Sequence, residues 1–168
     1  GGSRAPMGAG LSLAAAVALP LAGGFAGAAF TRRAVSGWYR ELRKPPWTPP
    51  SWLFPVAWTA LYAAMGAASW RVWRAGGGPV PLGLYAAQLA LNWAWSPLFF
   101  GARRFGLALA DLALLWPAAA ATAAAFARVD APAAALLAPY LAWLAFAGAL
   151  NAYIWRHNPR PPPDPKQE

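Results

Sequence analysis

The residues from Ala131 to Trp155 read APAAALLAPYLAWLAFAGALNAYIW, and none of them is charged. A helix that crosses the apolar core of a bilayer needs roughly 20 consecutive apolar residues, because the core is about 30 Å thick and each helical residue advances about 1.5 Å. This stretch meets both requirements. It therefore predicts a transmembrane helix near the end of the chain.

Four further stretches of the same kind precede it. Residues 5–31, 45–70 and 75–102 contain no charge, and Asp111 is the only charged residue within 105–127. None of these stretches has the polar face of a soluble bundle helix, and none alternates as a membrane β-strand does. The chain is therefore predicted to be an all-α membrane protein, a five-helix transmembrane bundle with a long loop between the first two helices. The predicted domain covers 10–158, with helices at about 10–31, 52–74, 80–101, 105–127 and 132–157.

The two ends of the chain are expected to lie outside this domain. Residues 1–9 read as an N-terminal tail or a cloning remnant, and the Pro-rich residues 159–168 read as a disordered tail. The first apolar stretch is too long for a signal peptide and four more follow it, so we interpret it as a retained helix.

Composition excludes several classes of function. Cysteine is absent and His157 is the only histidine, so we expect neither a metal centre nor thiol chemistry. No Walker loop, dinucleotide fingerprint or Gly-x-Ser-x-Gly elbow occurs, and no obligatory cofactor is expected. The net charge of +9 comes from bases at the ends of the predicted helices, which argues against a nucleic-acid partner.

The distribution of those bases predicts an orientation. Ten of the 14 Lys and Arg residues lie in the first loop, the third loop and the C-terminal tail, which share one side of a five-span bundle. Because loops rich in Lys and Arg stay in the cytoplasm, the C-terminus is predicted to be cytoplasmic. We expect a multi-pass protein of a bacterial cell membrane or of the mitochondrial outer membrane, with bases that contact lipid headgroups.

The first loop, from Arg32 to Ser51, is rich in Pro and Trp. Proline removes backbone donors and prevents a regular helix, while a loop of this length is commonly a lid, a binding loop or a disordered linker. Its aromatic residues argue against disorder. Both a lid over a site and an aromatic belt at headgroup depth fit this composition.

Aromatic and amide residues recur at helical spacing on three of the predicted helices. The stripes consist of Phe54, Trp58, Tyr62 and Met65; of Tyr85, Gln88, Asn92 and Trp95; and of Trp143, Ala147, Leu150, Asn151 and Ile154. Polar groups at membrane depth face protein or a cavity. The stripes could line a small-molecule cavity, or the amides could only join helices together.

Small residues and one acid complete the features within the helices. Gly23 and Gly27 are expected to allow close packing inside one chain, whereas Gly83 and Ala87 on the third helix suggest a homodimer seam. Asp111 is interpreted as a capping or snorkelling group, with a proton-relay role as the alternative.

Four blocks, in order along the chain, resemble the tryptophan-rich sensory protein and translocator protein family, also called TspO/MBR or the peripheral-type benzodiazepine receptor family. They are WY at 38–39 with KPPWTPPSWLFPVAWTALY at 44–62, PLGLYAAQLALNWAWSPLFFG at 81–101, ADL at 110–112, and PYLAWLAFAGALNAYIWR at 139–156. The resemblance covers about residues 10 to 158.

The resemblance implies a five-helix bundle, commonly dimeric, that binds tetrapyrroles such as protoporphyrin IX and, in animal members, cholesterol and benzodiazepine-type drugs. Position by position, it implies a pocket lined by Ala28, Phe54, Trp58, Tyr62, Asn92, Trp95, Ala110, Leu114, Trp143, Ala147 and Leu150. It also implies a sterol motif made of Leu150, Tyr153 and Arg156.

Three functions follow from this reading. The first is a membrane receptor or sensor that holds a tetrapyrrole, and possible sterol or drug ligands, inside the bundle. The second is an enzyme that degrades porphyrin in light, for which Trp58 and Trp143 are the candidate residues, although no catalytic residue is firm. The third is a transporter, which the sequence favours least because it shows no charged relay and no paired broken helices.

Overall fold

The computed structural model describes residues 6–160. Within that range the chain forms five long α-helices, namely α1 (Pro6–Val35), α2 (Leu53–Arg74), α3 (Pro79–Ser96), α4 (Phe105–Val129) and α5 (Ala131–His157). The predicted all-helical architecture is confirmed. Most of the predicted C-terminal tail, 161–168, and residues 1–5 of the predicted N-terminal tail lie outside the described residues.

The first helix is longer than predicted at both ends, since it begins at Pro6 and not near residue 10, and ends at Val35 and not at residue 31. Proline is tolerated in a first turn, where its missing N–H has no partner to lose. Arg32 and Arg33 lie in the last turn, where a positive charge interacts favourably with the helix dipole. The two arginines therefore belong to the helix and not to the loop.

Within the described range 6–160, three helices are long and apolar enough to cross a membrane, namely Ala9–Val35 within α1, and the whole of α4 and α5. The helices α2 and α3 are not among these three. The prediction of five helices is thus confirmed for the described residues, while the prediction that all five span the membrane stays a prediction.

The helices pack side by side in a closed ring. Going around it, α1 lies beside α2, α2 beside α5, α5 beside α4, α4 beside α3, and α3 beside α1. This arrangement gives every helix two neighbours and leaves an interior that all five share.

Glycines bring α1 close to its neighbours. A Cβ at Gly23 would collide with the indole of Trp93, and a Cβ at Gly27 would lie 3.3 Å from the Cβ of Ser96, so both glycines face α3 of the same chain. The predicted intramolecular contact is confirmed. By contrast, Gly83 has no neighbouring atom within 4 Å of a Cβ, so its face of α3 is open and the homodimer there stays a prediction.

The half of the bundle remote from the first loop is filled by apolar side chains. Met65, Val72, Phe126, Ala133 and Leu137 are among its fully or almost fully buried members. Because this half is solid, any internal cavity lies in the other half, toward the first loop.

Candidate ligand cavity

A cavity of about 510 Å³ lies between the helices in the half of the bundle nearest the first loop. Small-molecule sites commonly measure roughly 300–1,000 Å³, so this cavity is the size of a ligand. All five helices contribute to its wall, and the first loop contributes Ser36, Tyr39, Arg40 and Ser51.

Nine of the eleven residues predicted for the pocket lie on this wall. They are Ala28, Phe54, Trp58, Tyr62, Asn92, Trp95, Trp143, Ala147 and Leu150. The stripe on α5 is complete, because Asn151 and Ile154 line the cavity as well. The other two stripes extend below it, since Met65, Tyr85 and Gln88 are buried in the core beneath the cavity. The structure thus brings these residues together, while their role in binding stays a prediction.

The placement of Ala110 and Leu114 in the pocket is wrong. Both residues are on the outer surface of α4, where Leu114 is 64% exposed. Leu112 and Leu115 line the cavity in their place. The two residues came from the family resemblance, and hydrophobic periodicity could not correct them, because apolar residues surround α4 almost completely.

The position of Asp111 could have identified the inward face of α4. Its side chain is only 8% exposed and faces the bundle interior, as a polar group within a membrane helix is expected to do. It makes no capping bond at the start of α4, and its Oδ2 atom is buried without a partner among the described residues. Asp111 is therefore neither a cap nor a snorkelling group, and a relay role stays untested.

The cavity walls are largely aromatic. Trp58 stacks on Tyr62, with ring centroids 5.4 Å apart and planes at 29°, and meets Trp143 edge to face at 6.3 Å and 89°. Phe54 also contacts Trp143, at 5.8 Å. These rings offer both faces and edges to a ligand.

A second aromatic group closes the side formed by the end of α3. Pro97 interrupts the α-helix, and residues Pro97–Gly101 form a π turn. This turn places Phe99 against Trp95, with ring centroids 5.0 Å apart, and places Phe100 edge-on to Trp95 at 5.6 Å. Turns of this kind are frequent at functional sites.

The floor of the cavity is polar and already hydrogen-bonded. Tyr62 donates its hydroxyl proton to Asn92 Oδ1, and Asn92 Nδ2 donates to the Tyr140 hydroxyl at 2.8 Å. The Tyr140 hydroxyl in turn donates to Gln88 Oε1 at 2.7 Å. We call this series the floor chain. It joins α2, α3 and α5, and the donors follow one another from Tyr62 to Gln88.

Asn151, which lies nearer the mouth, also lines the cavity and bonds to other parts of the chain. It accepts a hydrogen bond from Trp95 Nε1 at 3.0 Å and donates to the carbonyl of Phe105 at 2.9 Å. Asn92 and Asn151 therefore both line the cavity and join helices. The interpretation that the amides only join helices is therefore wrong, while a role of the cavity in ligand binding stays a prediction.

The mouth of the cavity is basic. The wall there includes Arg32 and Arg40, accompanied by the hydroxyls of Thr31, Ser36 and Ser51. Neither guanidinium forms a hydrogen bond or ion pair within residues 6–160. The positive charge at the mouth is thus available to an anionic group.

The first loop is folded down as a roof. Tyr39, in a short 3₁₀ turn, is 5% exposed, and its burial raises its pKa to about 12. Lys44 Nζ donates to the carbonyl of Tyr39 at 2.7 Å. At the other side, the Arg43 backbone N–H and C=O bond the Asn158 side chain, each at 3.0 Å, which ties the loop to the end of α5.

The outer surface of the same loop fits the belt interpretation. Trp47 and Trp52 are 47% and 65% exposed. The loop thus has a buried side that roofs the cavity and an exposed side that carries indoles.

The predicted sterol motif is divided between two surfaces. Leu150 is buried and lines the cavity, whereas Arg156 lies exposed on the outside of α5. Tyr153 stacks on His157, with ring centroids 3.8 Å apart. The three side chains do not form one continuous site.

Sequence reasoning missed Tyr140. It assigned the bases of the first loop, including Arg32 and Arg40, to orientation, to lipid headgroups and to the propionates of a porphyrin, but it placed neither arginine on the pocket wall. Tyr140 lies three residues before Trp143, on the same face of α5. That spacing could have placed its hydroxyl beside Asn92.

The ring of five helices within residues 6–160, three of them suited to a membrane, and the aromatic cavity between them define a helical membrane protein with an internal cavity. The comparisons identify the family: residues 16–156 match the TspO/MBR family model. The chain belongs to the TspO/MBR family.

Relatives come from animals and bacteria. The chain is 57% identical over 145 residues to the translocator protein of Bos taurus, covering 83% of this chain and 86% of that protein. It is 46% identical over 153 residues to the tryptophan-rich protein TspO of Chlorobaculum tepidum, covering 89% and 97%. It is also 46% identical over 121 residues to the tryptophan-rich sensory protein of Cereibacter sphaeroides, covering 72% and 77%.

Proposed function

We propose that this chain is a membrane receptor or sensor that binds a planar tetrapyrrole, such as protoporphyrin IX, in the cavity beneath the first loop. The observation that carries the proposal is the composition of the cavity: aromatic walls, a hydrogen-bonded floor and a basic mouth. Ligand sites are mostly apolar, with a few polar groups that fix orientation.

The aromatic walls suit a flat conjugated ring. Trp58 and Trp143 meet at 89°, so a macrocycle that lies on the face of one indole meets the edge of the other. Each such aromatic contact contributes about 0.5–1.5 kcal/mol beyond the area that it buries.

The mouth suits acidic substituents. Arg32 and Arg40 line it without partners among residues 6–160, and a guanidinium binds a carboxylate through two parallel hydrogen bonds. The propionates of a porphyrin therefore complement the mouth while its ring complements the walls.

A titration tests the proposal. Protoporphyrin IX added to the purified protein should quench tryptophan fluorescence saturably. Trp143→Phe should weaken the affinity about three- to tenfold, since an aromatic contact is worth about 0.5–1.5 kcal/mol and 1.4 kcal/mol corresponds to a factor of ten. Leu114→Ala, on the outer face of α4, is the matched control and should bind like the unsubstituted chain.

If both Trp143→Phe and Asn92→Ala bound protoporphyrin IX with unchanged affinity, the cavity would not be the binding site. The same titration with cholesterol tests the sterol alternative. Because Leu150 and Arg156 lie on different surfaces, we expect Arg156→Ala to leave porphyrin affinity unchanged.

A second candidate function is light-dependent degradation of the bound porphyrin. The edge-to-face contact between Trp58 and Trp143 favours it, since both indoles line the cavity wall and would contact the macrocycle. Illumination of the complex should give a new product spectrum that is lost in Trp58→Phe. Bleaching equal to that of porphyrin bound to albumin would exclude this candidate.

Transport is the third candidate, because the relative from Bos taurus is named translocator protein. Flux of the ligand through proteoliposomes would decide it.

The proposed homodimer through Gly83 and Ala87 is a separate question, which disulfide crosslinking of Gly83→Cys answers because the chain has no cysteine of its own.

A further inference from the structure

A groove of about 290 Å³ runs along the outside of the bundle between α4 and α5. Its sides are formed by Leu109, Leu112, Ala113, Trp116, Leu144, Ala145 and Gly148. It is open to the surroundings at Gly148, where a Cβ would have no neighbouring atom within 4 Å. The two helices that form it are among the three that are suited to span a membrane. The groove therefore faces the bilayer.

The lining of the groove offers no free polar group to a ligand. Every side chain that lines it is apolar except for the indole N–H of Trp116, and that N–H donates to the carbonyl of Leu141 at 3.1 Å. A water molecule or a polar ligand would find no hydrogen-bond partner there. In a membrane, a hydrocarbon chain can fill such a surface without leaving a polar group unsatisfied.

The groove shares a wall with the ligand cavity. Leu112 and Leu144 line both spaces, and they are 5% and 2% exposed. Two side chains thus separate the outer groove from the inner cavity at this level. Because close-packed interiors transmit displacement, a group that presses on these leucines from outside restricts their movement toward the groove.

We propose that the groove between α4 and α5 is a binding site for one hydrocarbon chain of a bilayer lipid, and that this chain acts on the ligand cavity through Leu112 and Leu144. The site for the chain stands on the groove alone, and only its effect on ligand binding rests on the proposed function. With the groove filled, the shared wall cannot yield outward, so a ligand in the cavity should leave more slowly.

The first experiment locates the hydrocarbon chain. The full-length protein is reconstituted in vesicles of phosphatidylcholine with bromine atoms along its acyl chains, which quench nearby indoles on contact. The part of the quenching due to Trp116 is the difference between the unsubstituted chain and Trp116→Phe. We expect that part to be substantial, and to fall in Gly148→Leu, whose side chain occupies the groove.

The second experiment measures the effect on the cavity. A lipid chain exchanges with the bilayer and leaves the groove empty part of the time, whereas the leucine of Gly148→Leu fills it permanently. In vesicles of ordinary phosphatidylcholine, protoporphyrin IX should therefore dissociate at least about fivefold more slowly from Gly148→Leu than from the unsubstituted chain, the low end of coupling between two sites. Gly10→Leu is the matched control, because Gly10 also has no atom within 4 Å of a Cβ but belongs to α1. It should behave like the unsubstituted chain. Gly148→Ala gives a smaller filler if the leucine variant folds poorly.

The outcomes separate the two proposals. If Trp116→Phe leaves the bromolipid quenching unchanged, the groove holds no lipid chain and the inference is overturned. If the quenching is as expected but Gly148→Leu and Gly10→Leu release porphyrin at equal rates, the action on the cavity is overturned. If the unsubstituted chain binds no porphyrin, the proposed function fails, while the quenching still decides whether the groove binds lipid.

Discussion

Asn92 holds the floor of the cavity together, because it accepts from Tyr62 on α2 and donates to Tyr140 on α5. A buried polar group that loses its partner costs about 1–3 kcal/mol. Replacing Asn92 with leucine would deprive two hydroxyls at once. The residue therefore bears on stability as well as on the cavity.

We expect Asn92→Leu to lower the unfolding temperature and to weaken porphyrin binding together. Tyr62→Phe, which removes only the first donor of the floor chain and leaves the Tyr140 bond in place, should have a smaller effect on stability. Thermal unfolding in detergent measures the stability of both variants. Equal stability of Asn92→Leu and the unsubstituted chain would show that the floor chain contributes little.

Gly66 decides how closely α1 and α2 approach. A Cβ at this position would lie 2.6 Å from the carbonyl oxygen of Ala16 and 2.7 Å from the Cα of Val17, and backbone atoms cannot rotate away. We expect Gly66→Ala to destabilise the fold by about 1–3 kcal/mol, the cost typical of an overpacked contact.

Gly10→Ala is the comparison for that prediction. It adds the same methyl group to a helix where the space is open, and alanine favours a helix over glycine by up to about 1 kcal/mol. The two variants should therefore move the unfolding temperature in opposite directions. A destabilised Gly10→Ala would mean that glycine serves α1 in another way.

At the level of single residues, most of the cavity wall was predictable, and the failures have a physical cause. The aromatic and amide stripes carry their own direction, because polar groups avoid lipid. On α4, Ala110 and Leu114 are as apolar as Leu112 and Leu115, so composition gives no reason to choose between the two pairs. Only the burial of Asp111 reveals the inward face.

Among the elements, α5 has the most defined beginning. The Asp130 side chain accepts from the Ala133 N–H at 3.1 Å, which caps the helix, and also pairs with Arg71 of α2. The hydrogen bond and charge of Arg71 hold the pKa of Asp130 below its ordinary value. The start of α5 is thereby fastened to the end of α2, on the side remote from the roof.

This pairing predicts a dependence on pH. A carboxyl whose pKa is lower in the folded state stabilises the fold above its unfolded pKa of about 3.9, and the contribution is lost as the pH falls through the folded value. The unfolding temperature of the unsubstituted chain should exceed that of Asp130→Asn at neutral pH. The difference should shrink as the solution is acidified below about pH 4. A difference that stays constant with pH would contradict the ion pair.

The roof is a second element whose attachment is specific. Among the residues that the structure describes, only the Asn158 side chain bonds both the N–H and the C=O of Arg43. We expect Asn158→Ala to speed both association and dissociation of porphyrin, because the loop opens more often while the cavity itself is unchanged. Stopped-flow quenching measures both rates, and Arg156→Ala, on the exposed side of α5, is the control.

The ends of the elements were the least predictable part. The continuation of α1 through Arg32 to Val35 concerns residues that read as loop. The π turn at Pro97–Gly101, by contrast, replaces the end of a helix that was predicted to run to residue 101. Both segments are positioned by residues far away in the sequence, because α1 packs against the π turn and a Cβ at Gly101 would lie 3.0 Å from the Phe30 ring.

For the whole molecule, the number of helices was predictable from charge-free length, but their ring order was not. A helix that is apolar on all sides fits equally well beside any neighbour in lipid, since lipid and leucine are equally apolar. The order depends on specific contacts, such as those of Gly23 with Trp93 and of Gly66 with Ala16.

The orientation in the membrane is a prediction at this scale. Because the chain has no cysteine, single substitutions report it directly. In intact cells, Ala75→Cys in the second connection should react with an impermeant maleimide. Glu41→Cys in the roof should react only after the membrane is opened. The reverse pattern would overturn the orientation.

The floor chain has a consequence for how a ligand enters. With each proton pointing from Tyr62 toward Gln88, the four groups add up to a fixed dipole whose negative end is the Tyr62 oxygen, at the bottom of the cavity. Arg32 and Arg40 provide the opposite sign at the top. We therefore expect a molecule with proton donors at one end and acidic groups at the other to bind in one orientation. Its donors would lie at the Tyr62 end of the cavity and its acidic groups at the mouth.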